Sequence, residues 1–126
     1  MPSSAPRPTF LNLFVIRMPV GAVASFAHRV AGVLLFLCLP LAAFLLDLSL
    51  QGPGGFEHAA HLLRTPWLRA LQAAIAWSLL HHYLAGLRFM AIDVGWGSSR
   101  AAARRSALAV NLAASVLTLL LLWRLW

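Results

Sequence analysis

Three long apolar runs, each closed off by charge, dominate the pattern of hydrophobic and polar positions. Seventeen uncharged residues separate Arg29 from Asp47, eighteen separate Arg69 from Arg88, and eighteen separate Arg105 from Arg124. A bilayer's hydrocarbon core takes about 20 helical residues, and terminal arginines let a helix extend past its bounding charges by snorkelling. The runs are continuous rather than alternating, so barrel strands are excluded. The pattern predicts an all-α transmembrane bundle of three helices, at 24–48, 67–92 and 104–125, in a single membrane domain covering 1–126.

The connectors carry the opposite signature. "SLQGPGGFEHAAHLLRTP" holds Gly52, Pro53, Gly54 and Gly55 as breakers, and its "FEHAAHLLR" part reads as a short interfacial helix. "GWGSSRAAARR" begins with glycines and ends basic. Arg7, Arg17, Arg29, Arg88, Arg100, Arg104 and Arg105 fall on one side of the bundle; Arg64, Arg69 and Arg124 fall on the other, with Asp47 and Glu57. Arginine-rich flanks stay in the cytoplasm. The expected arrangement is a cytoplasmic N-terminal segment (1–23), a periplasmic loop (49–66), a cytoplasmic loop (93–103) and an outward C-terminus.

Composition supports a membrane class. Of 126 residues, 61% are hydrophobic and 10% charged, with a mean hydropathy of +0.81; a soluble domain needs more polar surface. The formal net charge is +7, and all ten basic residues are arginine. They are scattered between apolar runs, which argues for membrane orientation and against nucleic acid. Cys38 is the only cysteine, so a disulfide within the chain, a thiolate metal site and a covalent CxxCH haem attachment are excluded. It reads as a small apolar filler. No signal peptide is expected, because Pro2, Pro8 and Pro19 interrupt the first 26 residues.

Polar groups inside the runs are the candidate chemistry, since ionisable residues in a span are usually functional. In "WSLLHHYLAGLRFMAID", His82 and Gly86 lie four apart, about 40° from each other on one helical face. A glycine there leaves space for a flat ring, which suits an axial histidine beside a macrocycle; the alternative is a histidine hydrogen-bonded across helices, with Gly86 serving close packing. His81 points about 100° away and reads as an interhelical hydrogen-bonding partner. Arg88 and Asp93 follow near the end of the span, to hold anionic groups, or each other, or the interface. In "MPVGAVASFAHRVAGVLLF", Ser25 and Arg29 share a face, with His28 beside them and Gly32 close to the same stripe. A hydroxyl, a guanidinium and an imidazole are donors for a carbonyl or carboxylate ligand. Arg29 alone would equally mark the cytoplasmic boundary. Together these residues outline an inner-leaflet pocket with His28, Arg29, Ser25 and Arg88 at its mouth and His82 deeper, suited to a propionate-bearing haem near a quinone-sized headgroup.

These residues resemble the cytochrome b membrane-anchor subunit of succinate dehydrogenase, respiratory complex II. "RPTFLNL" (Arg7, Pro8, Asn12, Leu13) and "RMPVGAVASFAHRVAGVLL" are similar to that family's Arg-Pro and Ser-x-x-His-Arg-x-x-Gly pattern. "HYLAGLRFMAID" is similar to its His-x-x-x-Gly-x-Arg-His-x-x-x-Asp. The resemblance covers most of the chain and implies that His82 is one axial ligand of a haem b iron, the other coming from a second hydrophobic anchor subunit. It implies ubiquinone contacts for Ser25 and Arg29, and proximity to the haem propionates for His28 and Arg88. It also implies an iron–sulfur subunit and a flavoprotein subunit, where succinate is oxidised; an arginine-only, lysine-free chain fits a bacterial inner membrane. Phe89 stands where the motif has its second histidine, which removes a polar role there. A haem-free structural anchor, a quinol:fumarate reductase anchor and a small transporter are the rival readings; the last would need a carboxylate deep in a span, whereas Asp47 and Asp93 lie near span ends.

Overall fold

Prolines and glycines set where the helices begin and end. A computed structural model describes residues 17–125, which form four α-helices: α1 (Val20–Leu50), α2 (Pro53–Leu63), α3 (Pro66–Asp93) and α4 (Arg100–Leu125). Most of the expected segment 1–23, including Arg7, Pro8, Asn12 and Leu13, lies outside the described residues. The Pro19 carbonyl opens α1 by accepting the N–H groups of Ala22 and Val23 at 2.9 and 3.2 Å. Pro53 and Pro66 sit in the first turns of α2 and α3, where a missing N–H leaves no bond unmade. At the end of α3, Trp96 N–H reaches the Ala91 carbonyl at 2.8 Å and Gly95 N–H reaches Ile92 at 2.9 Å. Gly95 has φ 88°, so this is a Schellman closure that needs glycine at its left-handed position. Ser99 then caps α4, its hydroxyl accepting Ala102 N–H at 3.3 Å.

The bundle of three expected helices becomes four once the short connector helix is counted. That helix, α2, starts at Pro53 rather than at the expected Phe56. Gly54 and Gly55 read as breakers in sequence, yet both are helical. Gly55 lies so close to the Leu48 carbonyl that a Cβ there would overlap it, and this tight seating of α2 on the end of α1 outweighs glycine's low helix propensity. Of the long helices, α1 and α4 are apolar and long enough to cross a membrane, with mean hydropathies of 2.5 and 2.0 in their most apolar stretches. At 28 residues, α3 has the length, about 42 Å, but Gln72, His81 and His82 interrupt its apolar run.

The helices meet along small side chains. α3 touches each of the other three helices, and α1 also touches α4. Ala24 and Ala31, Ser78 and Ala85, and Ala107 and Ala114 are buried pairs, each seven residues and two turns apart. Small residues at that spacing let helix backbones approach closely, which drives packing where lipid removes the hydrophobic gain. Large apolar side chains such as Phe36 and Met90 face outward, 71% and 67% exposed. Lipid tolerates such a surface; water does not. Cys38 is half-buried in an apolar groove between α1, α3 and the end of α2.

Candidate functional site

The seam between α1 and α3 brings together His28 of the first span and His82 of the second. His82, half-buried on α3, reaches with Nδ1 to the backbone carbonyl of His28 on α1 at 3.0 Å. A carbonyl only accepts, so Nδ1 carries the hydrogen and Nε2 keeps a free lone pair in the neutral ring. Gly32 makes this contact possible: a Cβ at that position would stand 2.9 Å from His82 Cε1. Because Gly32 is one turn on from His28, the missing side chain opens the flank of α1 just where the carbonyl is presented.

The His28 ring lies on His82, centroids 4.0 Å apart and planes 5° from parallel. It sits over Gly86, with Nε2 3.7 Å from where a Cβ would be. The space expected beside Gly86 for a flat ring thus receives the His28 imidazole. Phe89 closes the stack edge-on, its centroid 5.3 Å from that of His28. The aromatic ring that replaces the motif's histidine therefore buttresses the imidazole pair through packing.

His81 has a different environment. It is fully buried, the one large side chain so enclosed among the described residues. Its Nε2 pairs with Asn111 Oδ1 on α4 at 2.9 Å, and Trp77 stacks on it at 4.8 Å. Trp77 in turn donates to Ser115 Oγ at 3.3 Å. His81 is thus an interhelical hydrogen-bonding residue facing α4. Its Nδ1 is buried without a hydrogen-bond partner among the described residues.

The remaining candidates divide between two places. Arg29, exposed, folds back along α1 towards Ser25, with Nε 3.4 Å from the Ser25 carbonyl and Nη2 3.4 Å from its hydroxyl. These are long contacts that leave the guanidinium's other donors outward. Arg88 turns away from the imidazoles: Nε donates to Ser106 Oγ at 2.9 Å and Nη2 to the Ala103 carbonyl at 3.0 Å, both on α4. His28 and His82 therefore meet in the α1–α3 seam, Arg29 pairs with Ser25 along α1, and Arg88 joins neither pair. Asp93 is exposed at the last residue of α3. Gly32 and Asn111 are the residues that sequence reasoning did not assign; a polar Asn111 within the third apolar run was the available signal.

Long lipid-compatible helices around a small-residue seam, with an imidazole pair between two of them, define a small polytopic membrane protein. Residues 3–121 match the family of succinate dehydrogenase/fumarate reductase transmembrane subunits, and the chain belongs to that family. It is similar to the succinate dehydrogenase cytochrome b556 subunit of Coxiella burnetii, 34% identical over 108 residues that cover 85% of this chain and 86% of the relative. It is also similar to the subunit of the same name from Paracoccus denitrificans, 32% identical over 117 residues, covering 92% and 89%. The corresponding subunit of Rickettsia felis is 26% identical over 115 residues. The chain is thus a membrane-anchor subunit of the succinate dehydrogenase class.

Proposed function

We propose that this subunit supplies one axial ligand, His82, to a haem b shared with a second hydrophobic anchor subunit, and forms part of a ubiquinone-reduction site. The observation that carries the reading is the bond from His82 Nδ1 to the His28 carbonyl. It fixes the tautomer whose Nε2 can bind iron, the role outer-shell hydrogen bonds play at metal-ligating histidines. Among the described residues no three metal-binding side chains converge. A single imidazole from this chain would suffice to hold haem iron, with the second histidine supplied by the partner anchor. The relatives' name, cytochrome b556, points the same way.

When bound, the haem supplies one-electron redox capacity close to the quinone. The chain's own residues position and polarise. Gly32 lets the His82 ring approach α1, His28 covers one face of it, and Phe89 holds His28 in place. His28 is the propionate-side residue in this reading; Arg88 is committed to α4 and is not assigned to the propionates. Ser25 and Arg29 would donate hydrogen bonds to quinone oxygens, offsetting negative charge as electrons arrive ahead of protons. In this reading the arginine-rich end of the bundle faces the cytoplasm across a bacterial inner membrane, where the iron–sulfur and flavoprotein subunits would dock.

The test is optical. His82→Ala should abolish or strongly lower the Soret band of the detergent-purified complex, while His81→Ala should largely keep it. Equal loss in both variants, or no loss in either, would refute the assignment.

A further inference from the structure

A second polar place lies at the end of the bundle where α1 begins, α3 ends and α4 begins. Met18, Pro19, Val20, Gly21, Arg88, Arg100, Ala103 and Arg104 line a cavity of about 500 Å³ there. Three of the eight are arginines and none is acidic. Arg88 is pinned by Ser106 and Ala103, which leaves further N–H groups of a fixed guanidinium for a ligand. Arg100 and Arg104 lie four apart on one face of α4, a like-charge pair that an anion between them would relieve. Val20 and Gly21, the first residues of α1, line the same space, and helix N-termini favour negative charge.

We propose that this cleft binds the phosphate of an anionic membrane phospholipid. The chemistry calls for a phosphate, and the position selects a lipid as its source. The cleft sits where the lipid-facing helices begin and end, its wall includes the apolar Met18, Pro19 and Val20, and the α3–α4 turn at the same end presents Trp96, 75% exposed. Exposed tryptophan marks headgroup depth, and clustered arginines at a bilayer surface recruit anionic lipid.

The test uses the detergent-purified complex, stripped of lipid and then exposed to phosphatidylglycerol, phosphatidylcholine or inorganic phosphate, with bound lipid read by native mass spectrometry. The intact complex should retain phosphatidylglycerol over phosphatidylcholine, and millimolar inorganic phosphate should not displace it. The double variant Arg100→Gln/Arg104→Gln should weaken phosphatidylglycerol about thirtyfold, while Arg100→Lys/Arg104→Lys, which preserves charge, should lose far less. Equal retention of both lipids by the intact complex overturns the proposal without recourse to any variant. So does displacement by inorganic phosphate, which would make this a free-anion site. Loss of the Soret band in the Gln variant would make it part of the haem site, and loss of the soluble subunits with unchanged lipid would make it a subunit interface; either result overturns the proposal.

Discussion

The imidazole of His82 hydrogen-bonds the backbone carbonyl of His28 at 3.0 Å, and the His28 side chain lies flat against the same ring. One residue of α1 thus holds His82 twice, through its main chain and its side chain. The orientation of the His82 ring is decided by a neighbouring helix rather than by its own. If His82 holds a haem as proposed, a substitution on α1 would lower haem content without touching His82.

Gly32→Ala is the sharpest case. Its methyl would stand 2.9 Å from His82 Cε1, so the ring must swing and lose the carbonyl. Haem content per assembled complex should fall about tenfold or more, in line with other losses of outer-shell support. Gly86→Ala places its methyl in ordinary contact, 3.7 Å from His28 Nε2, and should be milder. Were Gly86→Ala the worse of the two, the bond from Nδ1 would not be the controlling feature.

Arg29→Leu should separate two activities. Loss of a hydrogen-bond donor to developing charge typically costs about a hundredfold or more, so succinate–quinone turnover should collapse while succinate oxidation by a soluble dye continues. Unchanged quinone turnover would remove Arg29 from the site.

His81→Ala should act on stability. It breaks the buried bond to Asn111 and the stack on Trp77; an interhelical hydrogen bond in a membrane is worth about 0.6 kcal/mol on average, and the vacated space adds to the loss. Thermal melting of the assembled complex should show a lower midpoint. A double-mutant cycle with Asn111→Ala should give a coupling of similar size, and a coupling of zero would show that the pair does not hold α3 to α4.

Gly95→Ala tests the turn between α3 and α4. At φ 88° a Cβ is strained, and the substitution should cost about 1 kcal/mol. Gly54→Ala, in helical backbone with open space around it, should be neutral or slightly stabilising. The two melting midpoints together check the closure.

Much of the candidate site was legible in sequence because helical geometry sets angles within one element. The divergence of His81 from His82, by about 100°, follows from adjacency alone, and the structure has the two rings facing α4 and α1 respectively. Arg88 was grouped with Ser25, His28 and Arg29 because all four lie near the same end of the bundle. Depth was readable; direction was not. The Arg88 guanidinium has Ser106 and Ala103 within reach on α4, and nothing in the spacing of α3 names that neighbour. Gly86 shows the same limit, for its open space is filled by a histidine from another helix. α2 was half visible: its glycines suggested a break, and only contact with Leu48 explains their place in a helix.

By itself the sequence determined that long helices form, roughly where they begin and stop, and that the two adjacent imidazoles of α3 point about 100° apart. Backbone polar groups in lipid must be satisfied within their own segment, so charge-bounded apolar runs leave a helix as the sole economical answer here. Tertiary structure decided which residue each polar side chain meets: His28 for His82, Asn111 for His81, Ser106 for Arg88. Those pairings depend on how closely the helices approach and how each is rotated. Both are fixed by small residues on facing helices acting together, a relation between elements that no single stretch of chain contains.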